Sequence, residues 1–372
     1  MLDRNFLLNS ELLLGHEVLG KLGEKCSSLG KRALIICSAD SHFTRLCGRV
    51  EEELKKASID FQYFRDVKPN PESDDIEKGA RVLKDSGADF ILSIGGGSTI
   101  DTGKAVSLFL ALGSAGWDAL FSRYCDFSST ERDLEGLVPS VAIATTAGTG
   151  SHLTQATVVT HNGEKKTLYH PQLKPVMSFL DSSTQAEMPL SLRRITGFDA
   201  FTHAFESYIS TTSNALARAL SVGAMKIFLQ YLKQDEFSQD DILELIYGDS
   251  MAGLALSIGG AGIPHPLSEF LGSIKPAPHG ACLAVFYPAY LEHLENEQNE
   301  WFIKLCQELG YDSTASFIDA VNSLLKHIGL AKTMRDYGAG EEEKNFVLNH
   351  PAIPHLPWAS ASEIRSIIER SY

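Results

Sequence analysis

The first half of the chain alternates short apolar runs with stretches in which apolar residues recur every three or four positions. The short runs predict β-strands, and the helical spacing predicts α-helices. The predicted strands are Ala33–Cys37, Phe61–Phe64, Asp89–Ile94 and Val141–Thr145, and the predicted helices are Pro71–Ser86 and Thr99–Leu112. Strands separated by helices are typical of βαβ units around a mostly parallel, buried sheet. A shorter β-rich stretch is predicted to follow, at Thr157–Thr160, Lys166–Tyr169 and Val176–Leu180.

The pattern changes after Asp181. From about Leu190 onward the apolar spacing is predominantly helical, as in LARALSVGAMKIFLQYL and ACLAVFYPAYLEHL, and strand patterns nearly vanish. We therefore predict an α/β domain at residues 1–184 and an all-helical domain at residues 185–372. Ligands often bind between two such domains.

Composition is that of a folded globular protein, since 44% of the 372 residues are apolar and 22% are charged. The 33 basic and 47 acidic residues give a net charge of -14, which argues against a nucleic-acid partner because such affinity depends on basic patches. No stretch approaches the roughly 20 apolar residues that cross a bilayer, and charges interrupt the N-terminal segment. We therefore expect no membrane span and no signal peptide. The six cysteines lack CxxC spacing, which favours free thiols and a cytoplasmic location.

A glycine-rich segment, GGGSTIDTGKA at residues 95–105, lies between a predicted strand and a predicted helix. Glycine permits a tight turn and lets the backbone come close to a ligand. The free N–H groups at the start of the helix can then bind a phosphate. The spacing is not GxGxxG, because Ile100 stands where the third glycine would be. An ordinary tight turn is the alternative interpretation.

A second turn of small residues, TTAGTGS at residues 145–151, also follows a predicted strand. Its hydroxyl groups and exposed backbone suit a phosphate as well. Two such turns at strand ends of one sheet favour an extended ligand such as a dinucleotide.

Four side chains in the helical half have the chemistry of a metal site. Asp199 and His203 are four residues apart, which places both on one face of a helix. That helix is otherwise strongly apolar, and a buried charge is costly unless it is paired or coordinated. A simple Asp–His hydrogen bond is the alternative. With His265 and His279 the set has one carboxylate, three imidazoles and no thiolate, which suits Fe(II) or Zn(II).

These segments, in this order, resemble the iron-containing alcohol dehydrogenase family along nearly the whole chain. The matching pieces are KPNPESD (68–74), GGGSTIDTGKA (95–105), TTAGTGS (145–151), GFDAFTHAFESY (197–208) and HPLSEFLGSIKPAPHG (265–280). The resemblance implies a dehydroquinate synthase-like architecture, in which an N-terminal parallel-sheet dinucleotide-binding domain precedes an all-helical metal-binding domain, with the metal between them.

The resemblance also implies the site residues. The metal ligands would be Asp199, His203, His265 and His279. The pyrophosphate would be held by Gly96, Gly97 and Ser98, with Asp101 and Lys104 supporting the same turn. Further cofactor contacts are implied at Asn70, Thr145, Thr146, Thr154, Lys165 and Leu180.

Two departures from the family concern residues near the chemistry. His152 stands where the family usually has a glutamate after TTAGTGS. Glu269 stands where the family often has a further histidine, four residues after His265, that is assigned to proton transfer or substrate contact. Glu269 is therefore our candidate general acid or base, and a carboxylate on a helix surface is the alternative.

A third departure concerns the choice of cofactor. NAD-preferring members of the family have an aspartate at the position aligned with Ser38, where it accepts the ribose hydroxyls. A carboxylate repels a 2′-phosphate, whereas a serine does not. Asp40 could take over that role after a small shift of the loop. The sequence thus leaves NAD and NADP open and slightly favours NADP.

The implied function is that of a metal-dependent NAD(P)-linked alcohol dehydrogenase or aldehyde reductase, a homodimer acting on a small alcohol or carbonyl compound by hydride transfer. A sugar-phosphate cyclase of the dehydroquinate synthase kind is the alternative on the same architecture. It would need several basic residues for its acidic substrate, and the candidates are Arg193, Arg194 and Lys275. A non-catalytic nucleotide- and metal-binding relative is a third interpretation, against which the presence of all four ligands argues.

Overall fold

The computed structural model describes residues 9–112, 115–125, 134–275 and 277–372. The first eight residues of the N-terminal segment and Pro276 of the last motif lie outside the described residues. The chain forms two compact units. One contains the residues up to Met188 together with Ser238–Ile246, and the other contains Pro189–Phe237 and Tyr247–Tyr372. Nothing in the local periodicity indicates that Ser238–Ile246 joins the first unit, because that assignment depends on tertiary contacts.

The first unit is built on a parallel sheet of six strands in the order β1-β8-β5-β4-β2-β3. Its strands are β1 (Glu11–Gly15), β2 (Arg32–Cys37), β3 (Asp60–Phe64), β4 (Phe90–Gly95), β5 (Ser140–Ala144) and β8 (Met177–Asp181). Its helices are α1 (Leu22–Cys26), α2 (Thr44–Lys56), α3 (Ser73–Ser86), α4 (Gly97–Leu112) and α5 (Trp117–Tyr124). The prediction of a parallel α/β domain is confirmed.

The predicted strands and helices of this unit are present, with ends displaced by one or two residues. Strand β1 and helices α1, α2 and α5 were not predicted. Strand β1 pairs with β8, which lies far along the chain. A strand held by such a distant partner needs little apolar periodicity of its own, which explains why β1 was missed.

Both faces of the sheet are covered, which explains why β2 is apolar from Ala33 to Cys37. Ala33, Ile35 and Cys37 belong to one apolar cluster, and Leu34 and Ile36 belong to the other. Alternate side chains of a strand point to opposite faces, so a strand buried on both faces carries apolar residues at every position.

All six strands are parallel, so their carboxyl ends lie at one edge of the sheet. The order of the strands reverses between β2 and β4, because β3 lies on the far side of β2. In open parallel sheets ligands bind outside the carboxyl ends of the strands at such a reversal. The glycine-rich turn follows β4 and the Ser38–Asp40 segment follows β2, which places both at this point.

The remaining strands, β6 (Ala156–His161) and β7 (Glu164–Tyr169), form an antiparallel hairpin outside the main sheet. Its turn residues Asn162 and Gly163 have φ values of 52° and 82°. Two successive positive φ values are typical of the type I′ turn, which asparagine followed by glycine favours.

The regular structure of the second unit is helical throughout the described residues, as predicted. The helices from residue 190 onward are α6 (Leu190–Ile209), α7 (Ala215–Tyr231), α8 (Gln239–Gly259), α9 (Pro264–Ile274), α10 (His279–Asn296), α11 (Glu300–Glu308), α12 (Thr314–His327), α13 (Glu341–Leu348) and α14 (Ala361–Arg370). Helix α6 is buried at every position from Gly197 to Ile209. Polar side chains on that part of α6 therefore lie inside the protein.

Helix α8 has the length and apolar content of a membrane span, yet 67% of its most apolar stretch is buried inside the fold. A core helix that is apolar on all sides has the same composition.

Candidate functional site

The two turns of small residues lie side by side. Strand β4 ends at Gly95, α4 begins at Gly97, and the N–H of Thr145 at the end of β5 donates to the carbonyl oxygen of Gly95 at 3.1 Å. The first N–H groups of α4 have no acceptor within the helix, so this end of α4 offers donors and a favourable dipole to an anion.

The second turn packs closely against Gly96 and Gly97 of the first turn and requires glycine at position 97. A Cβ atom at Gly97 would lie 2.6 Å from Cγ2 of Thr149, and one at Gly96 would lie 3.1 Å from Oγ1 of Thr146. The first distance is a severe overlap, so only glycine permits this packing at position 97. The turn is thus more than a local chain reversal, because its sequence is matched to the neighbouring turn.

Lys104 and Asp101 hold the second turn onto α4. The Nζ atom of Lys104 is buried and donates to the carbonyl oxygens of Ser151 (2.6 Å), Thr154 (3.0 Å) and Ala156 (2.8 Å). The Asp101 carboxylate accepts from the Ser151 hydroxyl at 2.5 Å and from the N–H of Val158 at 3.1 Å. Burial lowers the pKa of Lys104 to about 8, although Asp101 partly opposes this. The carboxylate of Asp101 is therefore used within the protein and supports the turn.

Two further predicted contacts lie at the same edge of the sheet. Asn70 adopts a φ of 57°, and its N–H donates to the Ser98 hydroxyl at 3.4 Å, so the 68–74 segment reaches the glycine-rich turn. After β2, the Ser38 hydroxyl donates to Oδ2 of Asp40 at 2.7 Å, and the N–H of Asp40 donates back to Ser38 at 3.2 Å. A carboxylate is therefore present at the end of β2 although position 38 is a serine.

The other predicted cofactor residues are more dispersed. Thr154 is buried and its carbonyl oxygen is bound to Lys104. Leu180 is buried in β8, and Lys165 lies on the β6–β7 hairpin. His152 is also buried, and burial lowers its pKa to about 3, so this imidazole is neutral where the family has a carboxylate.

In the second unit, Asp199 and His203 lie on α6, His265 lies at the start of α9 and His279 lies at the start of α10. Oδ1 of Asp199 lies 3.6 Å from Nε2 of His203, 3.8 Å from Nε2 of His265 and 3.7 Å from Nε2 of His279. These distances are too long for hydrogen bonds. They are near the separation of about 3.4 Å between two ligands of a four-coordinate ion with bonds of about 2.1 Å.

The donor set fits a divalent metal. Oδ1 of Asp199 and Nε2 of His265 are buried and have no hydrogen-bond partner. Burial raises the pKa of Asp199 to about 8, with Asp249 and Glu206 adding to the effect and His265 opposing it. A cation at this point would stabilise the carboxylate and use both atoms. The structure thus favours coordination over a simple Asp–His hydrogen bond.

Hydrogen bonds on the far side of two rings fix their tautomers. Nδ1 of His265 lies 2.7 Å from Oε2 of Glu206, a carboxylate that accepts. The hydroxyl of Ser268 donates to the carbonyl oxygen of His265 at 2.7 Å, so it can only accept from Nδ1 of His279 at 3.1 Å. Both rings therefore carry the proton on Nδ1 and present the lone pair of Nε2 toward Asp199.

Sequence reasoning missed both Glu206 and Ser268. A signal for Glu206 was available, because residues 199, 203 and 206 fall on one face of a helix. Ser268 gave no such signal, since its role depends on the approach of α10 to α9.

Glu269 lies on α9 one turn after His265 and is partly buried. Burial lowers the pKa of His265, but the charges of Glu206, Asp199 and Glu269 more than offset this and raise it. Glu269 is thus close enough to the cluster to act on it electrostatically.

Two of the three basic residues that a phosphorylated substrate would need are paired with carboxylates, and the third lies against an aromatic ring. Lys275 donates to Oε1 of Glu343 at 2.6 Å, Arg194 donates to Oδ1 of Asp235 at 2.7 Å, and the Arg193 guanidinium lies 5.0 Å from the centre of the Phe237 ring. This arrangement argues against the cyclase alternative.

Comparison with known proteins identifies the family. The sequence profile described as iron-containing alcohol dehydrogenase matches residues 9–182, and the profile of the C-terminal domain of that family matches residues 194–355. The NAD-dependent methanol dehydrogenase of Bacillus methanolicus is 29% identical over 353 residues, which cover 91% of each chain. The lactaldehyde reductase of Escherichia coli is 28% identical over 356 residues, covering 91% of this chain and 90% of the relative.

Solved structures of this family have the same fold as this chain. The alcohol dehydrogenase from Oenococcus oeni is 26% identical and superimposes with a TM-score of 0.87 over 100% of both chains. The resemblance seen in the sequence is confirmed, together with the fold and the class of enzyme. The chain belongs to the iron-containing alcohol dehydrogenase family, whose members are metal-dependent oxidoreductases linked to NAD or NADP.

Proposed function

We propose that this enzyme interconverts a small alcohol and its aldehyde or ketone, with Fe(II) held by Asp199, His203, His265 and His279 and with NAD as the preferred cofactor. The observation that carries the proposal is the position of Asp199 Oδ1, buried without a hydrogen-bond partner at 3.6–3.8 Å from three ring nitrogens. Zn(II) accepts the same ligands, so the choice of Fe(II) is one the experiment must test.

When bound, the metal supplies a Lewis acid for the substrate oxygen, and the nicotinamide accepts or supplies the hydride. The protein's part is to bind and orient. His265 and His279 are held as Nδ1–H tautomers by Glu206 and Ser268, so each presents a lone pair without rearrangement. The buried α6 keeps water from the ligand atoms of Asp199 and His203.

Glu269 is the proposed proton-transfer group. It lies one helical turn after His265, on the helix that carries that ligand, and its side chain is partly exposed. A carboxylate in such a place can accept the proton of an alcohol during oxidation and return it during reduction.

The cofactor is proposed to lie on the turns that follow β4 and β5, with Gly96, Gly97 and Ser98 at the pyrophosphate. NAD is favoured over NADP because Asp40 keeps a carboxylate at the end of β2, hydrogen-bonded to Ser38. A 2′-phosphate placed there would be repelled. This reverses the slight preference for NADP that serine at position 38 suggested.

The experiment is cofactor oxidation by the reconstituted enzyme with a panel of short aldehydes. Fe(II)- and Zn(II)-loaded protein, NADH and NADPH, and samples with and without chelator are compared for the wild type, Asp199→Ala and the exposed control Asp319→Ala. We expect chelator-sensitive oxidation, stoichiometric with the alcohol formed, in the wild type and the control, and neither metal nor turnover in Asp199→Ala.

Retained metal and full activity in Asp199→Ala would contradict the ligand set. Binding of metal and nucleotide without net oxidation of the cofactor would favour the cyclase, which regenerates its cofactor, or a non-catalytic relative.

We also propose a cytoplasmic homodimer. The six cysteines are free, which suits a reducing compartment. Sedimentation equilibrium of the purified enzyme tests the dimer.

A further inference from the structure

Glu206 lies at the centre of a buried polar network beside the metal ligands. It is 1% exposed and lies on α6, three residues after His203. Oε2 of Glu206 accepts a hydrogen bond from the N–H of Gly262 and lies 2.7 Å from Nδ1 of His265. Oε1 accepts from the hydroxyl of Tyr287 at 3.1 Å. The segment between α8 and α9, helix α9 and helix α10 therefore each contribute one contact to this carboxylate.

The geometry assigns the direction of each bond. The N–H of Gly262 and the hydroxyl of Tyr287 both donate, so the carboxylate accepts all three bonds and His265 carries its proton on Nδ1. Nε2 of His265 then points toward Asp199 with its lone pair available. An imidazole without this partner could exchange tautomers or rotate, and either change would remove the lone pair from that position.

The backbone near Glu206 is built for this contact. A Cβ atom at Gly262 would lie 3.3 Å from Oε2 of Glu206 and 3.2 Å from the hydroxyl of Tyr290. A Cβ at Gly259 would lie 2.7 Å from the carbonyl oxygen of Ser207. The end of α8 and the segment that follows it thus approach α6 closely, with glycine at both contact positions.

We propose that Glu206 is a positioning residue of the metal centre, which holds His265 in the Nδ1–H tautomer with Nε2 toward Asp199 and thereby raises the affinity for a divalent metal. This inference rests on the proposed function, since it requires that the four ligands bind a metal. A histidine ligand that donates its second N–H to a carboxylate is a stronger and better oriented ligand.

A purely structural role, tying the segment after α8 to α6, is the competing explanation. Ser207 provides the matched control for it. Its hydroxyl is equally buried on α6 and donates to the carbonyl oxygen of Gly260 at 3.1 Å, in the same segment. Loss of that bond loosens the segment without changing His265.

The test is titration of chelator-treated full-length protein with Co(II) and Zn(II) against a chromophoric chelator. Absorption in the visible region reports the coordination of Co(II), and thermal unfolding of the metal-free protein reports the fold. In Glu206→Gln the amide oxygen can accept from Gly262 and His265 while Tyr287 becomes the acceptor, so the shape is kept and the charge is lost. Glu206→Leu removes the acceptor as well.

We expect affinity about 10-fold weaker in Glu206→Gln and about 100-fold weaker in Glu206→Leu, with an altered Co(II) spectrum in the latter. Ser207→Ala should bind metal as the wild type does, even if its metal-free form unfolds at a lower temperature. Because Glu206→Gln keeps the shape of the side chain, its metal affinity tests the proposal even if Glu206→Leu does not fold.

Wild-type affinity and spectrum in Glu206→Gln, or an equal loss in Ser207→Ala, would overturn the positioning role while leaving the metal centre intact. Failure of the wild type itself to bind either metal would overturn the metal centre, and the role of Glu206 with it.

Discussion

The buried ammonium group of Lys104 donates to the carbonyl oxygen of Ser151 at 2.6 Å and to its hydroxyl at 2.9 Å. The helix that begins at the glycine-rich turn therefore holds the second turn in place. The same Nζ atom also donates to the carbonyl oxygens of Thr154 and Ala156, so this lysine ties the second turn and the residues after it to α4.

Replacing Lys104 by methionine should destabilise the protein and weaken cofactor binding together. The change leaves the carbonyl oxygens of Ser151, Thr154 and Ala156 without a donor, which costs about 3 kcal/mol in the free energy of unfolding. Urea unfolding and the quenching of NADH fluorescence measure the two effects. Lys84→Met, on the exposed face of α3, is the control, and equal behaviour of the two variants would refute the idea.

Gly97→Ala should weaken NADH binding at least 10-fold, because the new Cβ would lie 2.6 Å from Cγ2 of Thr149 and would displace one turn from the other. The overlap should also cost about 2 kcal/mol of stability. Gly20→Ala, where nothing lies within 4 Å of the added Cβ, should change neither quantity. Isothermal titration with NADH distinguishes the two variants, and normal binding by Gly97→Ala would show that the turn does not hold the cofactor.

Asp40→Asn should shift the ratio of kcat/KM for NADPH to that for NADH upward by about 10-fold. The change removes a charge whose repulsion of a 2′-phosphate is worth about 1–4 kcal/mol at contact distance, depending on exposure. Ser38→Ala removes the hydrogen bond to Asp40 but keeps the carboxylate, so its effect should be smaller. A wild-type enzyme that already prefers NADPH would contradict the proposed role of Asp40.

Glu269→Gln should lower kcat by about 100-fold, the usual contribution of a general acid or base, while the affinity for metal changes little. For alcohol oxidation, in which Glu269 must be ionised to accept the proton, the pH profile of kcat should lose its acidic limb in the variant. Glu52→Gln, at an exposed position of α2, should leave kcat unchanged. If Glu269→Gln turns over as fast as the wild type, the residue is a helix-surface carboxylate and proton transfer lies elsewhere.

Glu343 should make the stability of the second unit depend on pH. Hydrogen bonds from Lys275 and from the N–H of Gly340 lower the pKa of Glu343 to about 2. The native state then binds fewer protons than the unfolded state between pH 2 and the ordinary value near 4.5, so this contribution is complete above pH 4.5 and is lost as the pH falls.

Urea midpoints of metal-free wild type and Glu343→Gln should therefore differ most at neutral pH and converge as the pH falls from 5 toward 3. Metal-free protein is used so that release of a bound metal at low pH does not contribute, and the titration of other groups is common to both proteins and cancels in the difference. A difference that stays constant over this range would show that the Lys275–Glu343 pair does not set the pH dependence.

The sequence by itself determined those features that depend on near neighbours. The apolar runs located the inner strands, glycines after a buried strand indicated the turn after β4, and the spacing of Asp199 and His203 placed both on one face of α6. Each of these follows from the fixed geometry of a strand or a helix, which relates residues a few positions apart.

The tertiary structure decided the relationships between distant segments. His265 and His279 reach Asp199, Ser268 fixes the tautomer of His279, and β1 pairs with β8, because these arrangements bury apolar surface and satisfy polar groups across the fold as a whole. Glu206 shows the division most clearly. Its helical face could be derived from the sequence, but its bond to His265, 59 positions away, depends on how the segment after α8 packs on α6. Local periodicity indicates which face of a helix is buried, and only the packing of the whole unit determines which residues that face contacts.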